Sequence, residues 1–128
     1  MAQYRIYSLR ENLVGRASAL SDAIHACSTS VLGLPADKRF HRFIPLECEF
    51  FVPPADRSGA YTIIEVSMFE GRSVETKKAL IRALFAALAP LGISAQDLEI
   101  TIFETPKSSW GIRGLPGDEL VLNYKVEK

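Results

Sequence analysis

The phrase Leu32-Gly33-Leu34-Pro35-Ala36-Asp37 is answered in the second half of the chain by Leu91-Gly92-Ile93-Ser94-Ala95-Gln96-Asp97. Each follows a run with helical spacing and precedes a run that reads as a strand. A second echo lies upstream. Gly15-Arg16-Ala17 opens the first helical run, and Gly71-Arg72-Ser73 opens the second. The glycines bracket positions 15 to 33 in the first half and 71 to 92 in the second, so the second helix is expected to be about one turn longer. A chain that repeats its turn chemistry in one order is constrained to a doubled unit.

The unit is legible in the hydrophobic periodicity. Gln3 to Leu9 alternates, with Tyr4, Ile6 and Ser8 on one side and Gln3, Arg5 and Tyr7 on the other. Glu11 to Arg16 reads as a turn. Leu20, Ile24, Cys27 and Val31 then recur at helical steps. Gly33 stops this helix and Pro35 forbids its continuation. Arg39 to Leu46 reads as a strand whose Pro45 suits an edge, and Glu49 to Gly59 as a loop. Tyr61 to Phe69 is β-branched and alternating, the clearest strand of the chain. Ser73 is a suitable helix N-cap, and Leu80, Leu84, Leu88 and Leu91 form the stripe of the helix that follows. Pro90 should disturb its last turn. Leu98 to Glu104 alternates again. Thr105 to Gly117 is rich in turn formers, and Leu120 to Val126 is expected to form a short last strand.

The order is β-α-β, linker, β-α-β, tail. This is an α+β fold: a tandem β-α-β repeat making a four-stranded sheet with two helices on one face. All 128 residues fit one domain, with pseudo-repeats at about 2–52 and 60–104 and a tail at 105–128. The uncovered sheet face reads as strongly apolar, which predicts self-association.

Fifteen basic residues balance fifteen acidic ones. That balance argues against a nucleic-acid partner held by a basic excess. Cys27 and Cys48 form no CxxC or Cys/His cluster, so no metal is expected and both thiols read as reduced. No signal pattern or long apolar run is present, so no membrane partner is expected and a cytoplasmic location is. His25 reads as a surface or interface histidine, and His41 on its strand as a weaker candidate base.

With these elements in place the chain resembles the tautomerase superfamily. Three segments sharpen the likeness toward the malonate semialdehyde decarboxylase-like branch: Leu32-Gly-Leu-Pro-Ala-Asp-Lys-Arg39, Phe69-Glu-Gly-Arg-Ser73 with Glu75-Thr-Lys-Lys78, and Trp110-Gly-Ile-Arg-Gly114. The resemblance implies a homotrimer, no cofactor, and a small carboxylate-bearing molecule as partner. It implies tautomerisation, hydration or decarboxylation of a small 2-oxo or enol acid. In that family an amino-terminal proline moves the proton. Here Ala2 occupies the second position, so methionine removal leaves a primary amine, and retention of Met1 moves the amine one residue outward.

The resemblance also assigns the remaining roles. Arg72 matches an arginine that grips a carboxylate, a task suited to a guanidinium because it donates two parallel hydrogen bonds. Trp110 and Ile112 match a hydrophobic pocket wall. The family's water-activating acid falls on Lys38 in ungapped alignment, with Asp37 adjacent as the candidate catalytic acid. A second arginine of that branch is replaced by Glu70. Arg39, at the start of a strand at the same end, is a further candidate for substrate binding. The alternative is a non-catalytic trimeric binding or structural module that kept the fold and lost the proline chemistry.

Overall fold

The computed structural model describes residues 1–126. Strand β1 (Ala2–Leu9) is followed by a single helical turn, α1 (Arg10–Leu13), and by helix α2 (Ala17–Leu32). Strand β2 (His41–Leu46) completes the first unit. Strand β3 (Thr62–Phe69), helix α3 (Val74–Leu88) and strand β4 (Leu98–Thr105) make the second. The sheet order is β2-β1-β3-β4. Within each unit the two strands run parallel, and the central pair β1/β3 is antiparallel.

The alternation of β1 and β3 sorts their side chains cleanly. Tyr4, Ile6, Ile64, Val66 and Met68 are buried beneath the helices. Leu20, Ile24 and Leu32 of α2 and Leu80, Leu84 and Leu88 of α3 close over them in one core. These side chains are each at most 1% exposed, and at about 25 cal/mol per Å2 of apolar surface their burial is the main force holding helices to sheet.

Local signals behave as their chemistry requires. Gly33 and Gly92 close their helical segments at φ 68° and 89°. Ser73 caps α3, its hydroxyl accepting from the Thr76 amide at 3.1 Å. Pro45 sits on β2, the edge strand, where its missing N–H costs no ladder bond.

Four expectations are corrected. The extra residues of the second half do not lengthen α3, which has 15 residues against 16 in α2. They form a 3-10 turn at Ala89–Leu91, because Pro90 has no N–H for the next α-helical bond. Leu120 to Val126 is not a strand: after a 3-10 turn at Gly117–Glu119 it runs irregularly across one end of the sheet. His25 is buried, 6% exposed, with Nε2 bonded to the Ala36 carbonyl at 2.8 Å. The outer sheet face is mixed rather than strongly apolar. Arg5 bridges Glu65 at 3.2 Å, donates to Ser67 at 2.9 Å and lies over the Phe103 ring. The cross-strand register sets Arg5 opposite Glu65, so opposite charges pair on that face.

Candidate active site

The register of the central strands decides where the chemistry collects. Antiparallel pairing sets Ala2 against Met68, so Met1 lies beside the end of β3 and the Gly71-Arg72 turn that follows it. Parallel pairing sets Phe69 against Thr105, which brings the start of the Trp110 segment to the same end. Parallel pairing of β1 with β2 does the same for residues 37 to 40, the Tyr4 amide donating to the Phe40 carbonyl at 2.9 Å. Segments far apart in sequence converge because the topology leaves them no other end.

They enclose a cavity of about 280 Å3. Met1, Asp37, Lys38, Phe69, Ile112 and Tyr124 line it, with Arg113 at its wall. Trp110 stands behind Phe69, the rings edge to face at 5.2 Å, and its indole N–H donates to Thr105 Oγ1 at 2.7 Å. Arg72 is 5% exposed, and its charge acts on both the Met1 amine and the Tyr124 hydroxyl.

The ionisable group of greatest consequence is the α-amino group of Met1. It donates a hydrogen bond to the Tyr124 hydroxyl. Burial, then the charges of Arg72 and Lys107, pull its pKa from 8.0 down to about 5. An uncharged amine at neutral pH can accept a proton or attack an electrophile. The Tyr124 hydroxyl is pushed upward by burial, an effect offset in part by Arg72 and Arg113.

The sequence candidates separate as follows. Asp37 and Ile112 line the cavity, Trp110 supports its wall through Phe69, and Arg72 lies buried at the same end. Ala2 offers only a buried methyl group, 2% exposed; the titrating group at that end belongs to Met1. Arg39 is turned away from the cavity and pairs with Asp22 of α2 at 2.6 Å. Glu70 is exposed. His41 faces α2, its Nδ1 hydrogen-bonded to Ser21 Oγ at 2.7 Å, and does not line the cavity.

Sequence reading placed the tail but missed Tyr124 and the tail's part in closing the cavity. Leu120 to Tyr124 closes the cavity in irregular backbone, which has no periodicity to read. One signal was available: Gly117 has a structural reason to be glycine. A Cβ there would stand 2.5 Å from the Lys107 carbonyl oxygen, and the Gly117 amide donates to the Trp110 carbonyl at 2.8 Å. This close approach directs the tail back over the cavity.

The first-half counterpart of Arg72 has a structural role. Arg16 donates to Asn12 Oδ1 at 2.7 Å and to the Leu91 carbonyl, so it closes the 3-10 turn after α3.

Known proteins are similar to this chain in sequence and fold. A protein described as a probable tautomerase from Ralstonia nicotianae is 42% identical over 55 residues, 42% of this chain and 79% of the relative. The 2-hydroxymuconate tautomerase of Comamonas testosteroni is 39% identical over 57 residues, 44% of this chain and 90% of the relative. Among solved structures, FG41 malonate semialdehyde decarboxylase inhibited by 3-bromopropiolate superposes with a TM-score of 0.77 at 29% identity, covering 85% of this chain and 87% of that one. The fold is also that of the Q0 fused 4-OT wild-type symmetric trimer, with a TM-score of 0.79 at 23% identity over 91% of this chain and 96% of that one. The family model for tautomerase enzymes matches residues 38–113, more than half of the sequence, and the chain belongs to that family.

Proposed function

We propose that this protein is a tautomerase-type enzyme acting on a small 2-oxo or enol carboxylic acid, with proton transfer carried by the Met1 amine. The observation that carries this reading is the buried, hydrogen-bonded amine beside the cavity, held largely uncharged at neutral pH. One N–H of the amine engages Tyr124, which leaves the nitrogen lone pair for the substrate. The amine removes the enol proton, and the resulting ammonium returns a proton to carbon, so the amine ends as it began. Arg72 offers the charge that holds the substrate carboxylate and the developing enolate. Asp37 and Lys38 sit where they can orient a water or a carbonyl oxygen. Phe69, backed by Trp110, and Ile112 exclude bulk water and strengthen those interactions.

The whole chain is read as one domain built from the two units, and the 2-hydroxymuconate tautomerase matches less than half of it with nine-tenths of its own length. The protein is further read as a homotrimer, on the likeness to the fused 4-OT symmetric trimer. Among the described residues no helix is long and apolar enough to cross a membrane.

The absence of an amino-terminal proline favours the second reading, a trimeric binding module without turnover. Ketonisation of phenylenolpyruvate, followed by ultraviolet absorbance, separates the two. Turnover by the wild type that is lost in Arg72→Ala supports the enzyme and its carboxylate site. A silent wild type with an active Ala2→Pro variant points to a competent scaffold that lacks its base. Silence from both overturns the enzyme reading.

A further inference from the structure

Between α2 and β2 the chain runs irregularly, and this segment carries Asp37 and Lys38 to the cavity. Its two ends are fixed. Leu34 is buried in the core, and the Phe40 carbonyl accepts from the Tyr4 amide at 2.9 Å. Between them the chain closes a turn on itself, the Lys38 amide donating to the Pro35 carbonyl at 3.0 Å. Among the described residues, one hydrogen bond ties the main chain of that turn to another element. His25 of α2 donates from Nε2 to the Ala36 carbonyl at 2.8 Å. A carbonyl oxygen can only accept, so the shared proton belongs to Nε2.

The ring that makes this bond is itself held. His25 is 6% exposed, and its Nδ1 is buried with no hydrogen-bond partner among the described residues. The bond to Ala36 is therefore the ring's one polar tie among those residues. His41 packs edge to face against it, the ring centroids 6.1 Å apart. His41 is fixed in turn by the Tyr4 ring and by Ser21 Oγ, one helical turn before His25. Ala36 is exposed, so water is available to its carbonyl. The bond from His25 gives the turn a location rather than satisfying a buried acceptor.

We propose that His25 is a positioning residue for the cavity: through the Ala36 carbonyl it holds Asp37 and Lys38 in place, and thereby sets the rate of turnover. The proposal rests on the reading above that the cavity turns over a small oxo or enol acid, and extends it to a residue that does not touch the substrate. On that reading Asp37 and Lys38 orient a water or a carbonyl oxygen while Arg72 holds the carboxylate. A loosened turn therefore lowers turnover more than it weakens binding. Misplacement by about 1 Å is enough to be felt in the rate. Placement that exact requires supporting side chains that are themselves locked, as His41 and Ser21 lock this ring.

The experiment uses the full chain and two substitutions. His25→Leu keeps the bulk of the ring and removes its donor. His25→Gln carries an amide N–H that reaches for the same carbonyl. Where His25→Leu does not fold, His25→Asn, whose amide is too short for Ala36, gives the same contrast. Nitrogen-15 relaxation reports the order of the turn, and steady-state ketonisation of phenylenolpyruvate reports turnover. In His25→Leu the backbone order parameters of Asp37 and Lys38 should fall from about 0.85 toward about 0.6. The kcat should fall about tenfold, with KM within about twofold of wild type. His25→Gln should restore both readouts. In an Asp37→Ala, Lys38→Ala background, His25→Leu should remove nothing further from kcat. A turn that stays ordered in His25→Leu overturns the proposal. So does a turn that loosens without loss of kcat, or a loss of kcat that persists in the double-alanine background. Each of these leaves the enzyme reading standing. A wild type silent in ketonisation overturns the enzyme reading, and the role of His25 in turnover with it.

Discussion

The α-amino group of Met1 and the hydroxyl of Tyr124 meet in a hydrogen bond although 123 positions separate them. The two ends of the described chain close one cavity between them. Tyr124→Phe removes the hydroxyl and keeps the ring. Tyr124 is half-buried and packs against the core through its ring, which the substitution keeps. The expected loss in kcat/KM is about tenfold, the worth of one hydrogen bond of about 1.4 kcal/mol, with little change in Tm. Steady-state ketonisation kinetics beside a thermal melt check both halves. A large fall in Tm would show Tyr124 to be structural instead.

The amine's environment predicts the pH profile. An ordinary α-amino group near 8 would give a kcat/KM that climbs until mildly alkaline pH. With the group at about 5, the base is already deprotonated at neutral pH. The profile should rise through about pH 5 and stay level to about pH 8. Measuring kcat/KM across that range decides the matter, because a limb near 8 would show the amine to be solvated and charged.

Gly117 is expected to control Tyr124 from a distance. In Gly117→Ala the new methyl group meets the Lys107 carbonyl oxygen at 2.5 Å, so backbone must shift. The sheet and helices lie elsewhere, and their far-ultraviolet circular dichroism should not change. Activity should fall by about tenfold or more as the tail moves off the cavity, since small misplacements of a positioned group are costly. Retained activity would show that the tail holds its place without this contact.

Arg72 is testable through two readouts that a merely structural role would not move together. Its burial at 5% exposure means that Arg72→Ala leaves a void as well as removing a charge. Arg72→Lys keeps the charge and loses the bidentate fork. KM should rise about 10-fold in the lysine variant and about 100-fold in the alanine variant, in keeping with charge-assisted hydrogen bonds of about 1.5–3 kcal/mol. Arg72 also holds the amine's pKa down, so only Arg72→Ala should move the acidic limb of the profile upward from about 5. A rise in KM with an unmoved limb would separate the carboxylate role from the electrostatic one.

The doubled unit and the alternating faces within the central strands were legible because they rest on periodicity and on turn residues. Both survive in a single sequence. Ile64, Val66 and Met68 alternate with Ile63, Glu65 and Ser67 whatever surrounds them, and the structure keeps that division. The convergence of Asp37, Arg72 and Ile112 on one end followed from topology once the strand order was known. Tyr124 was not legible, because an irregular tail is placed by one close contact at Gly117 rather than by a pattern. His25 was misread for a related reason. A polar residue on a helix signals solvent unless a partner is visible, and its partner is the backbone carbonyl of Ala36, to which no sequence pattern points. Arg39 was drawn to the site by its position at a strand start, but Asp22 on α2 provides a nearer opposite charge.

The last prediction concerns stability and the histidines beneath α2. His41 is half-buried, bonded through Nδ1 to Ser21 at 2.7 Å, and packed edge to face against Tyr4 and His25. Burial foremost, then the charges of Arg39 and His25, lowers its pKa from 6.5 to about 4. In the unfolded chain the same ring takes its proton near 6.5. Between those values the unfolded state binds a proton that the native state refuses. His41 therefore leaves stability intact above about pH 6.5, lets it drain as the pH falls toward about 4, and adds no further loss below that. Discounted for the exposed part of the ring, the effect is about 1 kcal/mol. Urea unfolding at about pH 7 and about pH 4.5 should show wild type losing about 1 kcal/mol more than His41→Gln, and that difference cancels the carboxylates common to both proteins. Equal losses in the two proteins would mean that His41 is protonated in the native state and that its packing against Tyr4 and His25 tolerates the charge.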